Sequence, residues 1–181
     1  MTRNAENLGK SSRQFKVGDM VVYPAHGVGE LTNEEKQVIA GVEMSLYVIT
    51  FAQDKMVLRV PKSRAQKTGL RHLSSSQEME KAVEALKLPP QTSRGMWTKR
   101  ATEYEGKINS GDIASIAEVL RDLHKNINDP DRSYSERIIY EDAMLRFASE
   151  YAVIHRLQLE EAKSKLAQLL TKDENINQDA A

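Results

Sequence analysis

The sequence predicts an α+β chain: a small antiparallel β module of the Tudor/SH3-like type, followed by an all-α helical domain. Two periods predict it. Short β-branched and aromatic runs with period-two alternation occupy roughly residues 15 to 62, and apolar residues recur every third or fourth position beyond Gly69. Punctuation agrees, because Gly, Pro and Asp separate the early runs, while Ser-x-x-Glu starts and Pro or Gly stops divide the later ones. A chain of 181 residues holds one generous domain or two small ones. The expected boundaries are a disordered tail over 1–14, a β module over 15–72, a helical domain over 73–171 and a second disordered tail over 172–181.

In order, "FKVGDMVVYP" offers a Gly-Asp turn and then a β-branched run closed by Pro24. "HGVGELTNEE" follows, and "SLYVITF" sets Leu46, Val48 and Thr50 on one face with Tyr47, Ile49 and Phe51 on the other. "AGVE" and "AQDK" read as tight turns, and "MVLRVP" supplies a further short strand. Ser75 and Glu78 make a capping box for a helix that ends at Pro89-Pro90. A second helix is expected from Trp97 to Asn109, stopping at "NSGD". A third, "DIASIAEVLRDLHK", places Ile113, Ile116, Ala117, Leu120 and Leu123 on one stripe. "INDPDRS" is a loop, Ser133 with Glu136 opens a fourth helix reaching about Leu157, and "QLEEAKSKLAQLL" forms the last.

Composition narrows the function. There is no cysteine, which excludes disulfides and thiolate metal sites and fits a reducing, cytoplasmic setting. Neither a bilayer-spanning apolar run nor a signal-peptide core is present, so no membrane partner is expected. Residues 1–73 carry 11 Lys and Arg against 7 Asp and Glu, and residues 74–181 carry 15 against 19, so net charges of +4 and −4 cancel. Any nucleic-acid contact must therefore come from a local patch. Enzyme motifs fail in turn. "HGVGEL" has Thr32 where a dinucleotide fingerprint needs its third glycine, and the four histidines lack ligand-like pairing. Nor does a nucleophile elbow support any Ser-His-Asp set. No catalytic residue, metal, cofactor or small-molecule substrate is predicted.

The single tryptophan, Trp97, stands just before Lys99 and Arg100 at the start of a predicted helix. Trp97, Ala101, Tyr104 and Ile108 share a helical face, which is a core signature. An indole at a helix start beside two cations is also well made for a nucleic-acid contact. The cations and first-turn N–H groups favour phosphates, and the flat ring stacks on or wedges against a base.

The ordered blocks "FKVGDMVVYPAHGVGEL", "LRVP", "MWTKR", "INSGD" and "IAEVLRDL" resemble the CarD/CdnL family of bacterial transcription regulators, from about Phe15 to the last helix. The resemblance implies a Tudor-like module that docks on the β subunit of RNA polymerase by strand-edge pairing. It also implies a helical domain that contacts promoter DNA at the upstream fork and stabilises the open complex without enzymatic activity. The DNA-contacting residues it implies are Trp97 as a wedge, Lys99 and Arg100 at phosphates, and Tyr134 of "SYSER" as an exposed aromatic. The implied polymerase contacts are Tyr47, Ile49, Arg59 and Pro61. Gln37 stands where some members use a second arginine. A protein-interaction adaptor without DNA contact, its Trp97 packed inside, is the competing reading, and an enzyme assembled from distant segments is a remote third.

Overall fold

The computed structural model describes residues 14–91, 95–124 and 129–178. Five strands form one antiparallel sheet: β1 Met20–Tyr23, β2 Gly27–Ile39, β3 Val42–Phe51, β4 Met56–Pro61 and β5 Arg71–His72, in the order β4-β3-β2-β1-β5. β2 and β3 run further than their apolar content suggests, so the turn expected over "AGVE" shrinks to Ala40 and Gly41. Both have positive φ, 51° and 78°, the geometry of the tightest hairpins. A register shift between Leu31 and Asn33 leaves Thr32 as the bulged residue, its hydroxyl donating to the Val48 carbonyl at 3.3 Å. Gly29 is obligatory here: a Cβ would lie 2.8 Å from Ile49 and 2.9 Å from Phe51. The core of this module is Val21, Leu31, Tyr47, Ile49, Phe51, Val60, Ala65 and Leu70.

Five helices follow: α1 Ser76–Leu86, α2 Trp97–Asn109, α3 Ile113–His124, α4 Tyr134–His155 and α5 Leu159–Gln178. The Ser75–Glu78 capping box is present in full. At α4 the Ser133 hydroxyl accepts the Glu136 N–H at 3.1 Å, while the Glu136 carboxylate lies 3.7 Å from Arg132. α3 is the hub, with Ile116, Ala117, Val119, Leu120 and Leu123 sealed between α1, α2 and α4. α4 ends on Arg156 in the left-handed region (φ 56°), with the Leu157 N–H returning to the Ala152 carbonyl at 2.9 Å. The second tail was expected to be disordered, yet α5 continues through Gln178, because "TKDENINQ" holds neither Gly nor Pro to stop it. Residues 1–13 of the first expected tail, residues 92–94, residues 125–128, which include the first two of the "INDPDRS" loop, and residues 179–181 lie outside the described residues.

The two modules are joined by polar contacts, of which those to Glu150 are the most buried. Glu150 of α4 is 2% exposed and accepts two hydrogen bonds from Arg71 of β5, at 2.8 and 2.9 Å, plus the Ser74 N–H at 2.7 Å. Arg71 also donates to the Gly111 carbonyl at 2.7 Å. Arg146, one turn before Glu150, donates to the carbonyls of Pro24 and Ala25 at 2.9 and 2.7 Å. Gly111 has φ 69°, and a Cβ there would sit 2.9 Å from the Pro24 Cα, so the helical domain touches the β1–β2 turn at close range.

Candidate nucleic-acid interface and docking edge

Trp97 is the first residue of α2. The chain that leads to it is anchored at Gln91, whose N–H donates to the buried Asp122 carboxylate at 2.9 Å. Its ring is half-buried and rests on the helical core, 6.4 Å from the Tyr104 ring. Both sequence expectations for Trp97 therefore hold some of the truth: one side packs inward and the remainder meets solvent. The indole N–H donates to the Ser135 hydroxyl at 2.8 Å, which draws the start of α2 against the start of α4.

Around that junction Met96 is 78% exposed and Tyr134 76% exposed, with Lys99 and Ile138 also outside. Arg100 sits otherwise than a free phosphate-binding cation would. Its guanidinium lies over the Trp97 and Tyr104 rings, 5.6 and 5.8 Å from their centroids, and is half-buried. The N-cap of α2, Met96, makes no side-chain capping bond, and no acidic residue occupies the first turn. By contrast α1 and α4 are capped by serines, and Asp112 accepts the Ser115 N–H at the start of α3. An uncapped N-terminus beside Lys99 keeps a partial positive charge for an anion.

In the β module, β4 and β5 are the two sheet edges. β4 covers β3 only from Leu46 to Phe51, so Val42–Ser45 of β3 extends beyond it. Arg59 is on β4 and exposed, with Nε and Nη2 donating to the two Glu35 carboxylate oxygens at 2.9 and 3.3 Å. Pro61, half-buried, ends the same strand. The Arg59 hydrogen bond, followed by its charge, holds the Glu35 carboxyl below the usual carboxylate range, and the pair raises Arg59 in turn. Gln37 donates to Glu35 at 3.1 Å and so supports this pair.

Tyr47 and Ile49 need correction as contact side chains. They are 4% and 0% exposed, facing the core of the module. Phe15 meets the Tyr47 ring edge-on at 5.8 Å and Lys62 lies over it at 4.9 Å, which closes that surface. Alternation along "SLYVITF" separates two faces, and both are covered: Leu46 and Val48 are buried on the face that carries Glu35 and Arg59. Sequence reasoning also missed Ser135, Met96 and Glu35. Ser135 lies 38 residues from Trp97, and no local pattern links them.

A cleft of about 850 Å³ between the modules is lined by Leu70, His72, Lys81, Asp112 and Ile113 among others, and by none of the predicted contact residues. Among the described residues no cluster of three or more His, Cys, Asp or Glu could hold a metal, and no helix is long and apolar enough to cross a membrane.

Two family models match in series: the CarD-like/TRCF RID domain over residues 15–74 and the CarD C-terminal domain over residues 81–167. The chain is 25% identical to the Bacillus subtilis (strain 168) protein named "Putative transcription factor YdeB", over 83% of this chain and 98% of that one. The solution structure of the 72-residue N-terminal domain of Myxococcus xanthus CarD is 31% identical over 34% of this chain and 83% of its own, with a TM-score of 0.30. The β module matches the first family model, the helical bundle matches the second, and their order is kept: the chain belongs to the CarD/CdnL family of transcription regulators.

Proposed function

We propose that this regulator docks on the β subunit of RNA polymerase through the open β4 edge and stabilises the open promoter complex with the surface around Trp97. The observation that carries the reading is the placement of Trp97. It is a half-buried ring held at the uncapped start of α2, with exposed Lys99 and Tyr134 beside it. Lys99 and the α2 N-terminus suit phosphates, and the ring offers an apolar wedge to a disrupted base step. Arg100 serves chiefly to stiffen the wedge from behind.

Tethering explains how a helical half with net charge −4 can act on DNA. Docking raises its effective concentration to the millimolar range or so, so a feeble local contact suffices. Discrimination comes from the state of the fork. Unstacking a step costs about a few kcal/mol in closed duplex and is already met in the open complex. A gain of roughly 1–3 kcal/mol confined to the open state multiplies its share by about five- to 150-fold.

Trp97→Ala is expected to shorten open-complex lifetime at a promoter with an unstable bubble while leaving polymerase binding unchanged. An unchanged lifetime would defeat the wedge. Arg59→Glu is expected to weaken recovery of the β subunit in a pull-down, since it reverses charge at the edge. Undiminished recovery removes Arg59 from the interface.

A further inference from the structure

We infer that Ser135 is the positioning residue of the Trp97 ring, an assignment that rests on the wedge reading above. The indole has one polar atom, and its N–H donates to the Ser135 hydroxyl at 2.8 Å. That hydroxyl lies 3.3 Å from the Ser133 hydroxyl, which in turn accepts the Glu136 N–H at 3.1 Å. Ser135 Oγ accepts from the ring, so its own hydrogen is available to Ser133, and the chain of bonds ends on the α4 backbone. The N-cap of α4 thus serves two purposes, satisfying the helix and fixing the ring of a neighbouring one.

The remaining contacts of Trp97 are packing against the core and the Arg100 guanidinium, and neither contact is directional in the way a hydrogen bond is. A directed hydrogen bond selects one orientation. Holding that orientation in the free protein removes an ordering cost that would otherwise fall on the DNA contact. It also spends the only donor of the ring, which leaves stacking and shape as what the ring offers a base.

The chain has one tryptophan, so a single indole N–H resonance reports on this bond in the full-length protein. Ser135→Ala is expected to move that resonance, speed its exchange with water and shorten open-complex lifetime by about three- to ten-fold. Polymerase affinity is expected to stay unchanged, and Ser135→Thr, which keeps the hydroxyl, to restore both signals. An indole resonance and lifetime unmoved by Ser135→Ala overturn the assignment, as does failure of Ser135→Thr to restore either. Trp97→Ala serves as the control that separates the two ideas. If it leaves the lifetime unchanged, the wedge reading fails, while the indole resonance of Ser135→Ala still decides whether Ser135 orients the ring.

Discussion

Glu35 and Arg59 meet across β3, on the face that also carries Leu46 and Val48. Pairing directs the Arg59 guanidinium and keeps it at the β4 edge, so on the proposed reading the residue would meet its partner already oriented. Glu35 is depressed chiefly by the Arg59 hydrogen bond, against an opposing effect of burial, with the Arg59 charge and the Gln37 amide adding to the depression. A depressed carboxyl contributes to stability above its unfolded value and loses that contribution as pH falls through the lower folded value. The pair is exposed, so the contribution is small and screened by salt. In an NMR titration the Glu35 carboxyl is expected to have a midpoint below the ordinary glutamate range, returning towards it in Arg59→Ala. Equal midpoints would mean the pair does not persist in solution. The resemblance of "LRVP" singled out Arg59 and Pro61, whereas Glu35 stayed hidden in a polar run because its partner lies two strands away.

Among the elements, α2 has an end that stability alone would not choose. Serine or aspartate before the first turn stabilises a helix by about 0.5–2 kcal/mol, and Met96 forgoes it. Met96→Asp is expected to raise the melting temperature by roughly 2–4 °C for each kcal/mol gained and to shorten open-complex lifetime, because a carboxylate there competes with phosphate. A longer lifetime in that variant would show that the α2 terminus does not face DNA. Helix starts were legible wherever a side chain announced them, as at Ser75, Ser133 and Trp97 after Pro89-Pro90. The end of α5 was not, since apolar periodicity fades after Leu170 while the backbone keeps its hydrogen bonds. The far half of the β2–β3 hairpin was equally faint. "EEKQ" has poor strand propensity, and register with "MSLY" overrides it.

For the whole molecule, the join between modules was the least legible feature, because Arg71 and Glu150 are 79 residues apart. Removing one member of a buried, charged hydrogen-bond set leaves the others unsatisfied. Glu150→Gln is expected to cost about 2 kcal/mol in denaturant unfolding, and small-angle scattering should show a wider distribution of shapes. A variant as stable and as compact as the parent would show that packing alone holds the modules together.

α4 reaches both ends of the mechanism: Ser135 on its first turn holds Trp97, and Arg146 and Glu150 grip the β module. Ser135 and Glu150 are separated by about 22 Å of continuous helix at 1.5 Å per residue. That rod acts as a ruler. On the proposed reading it sets where along the promoter the indole can arrive, measured from the polymerase and blind to the letters of the DNA. Promoters would then differ in their response through how readily each melted edge recloses, and one protein could serve many of them without a recognition sequence.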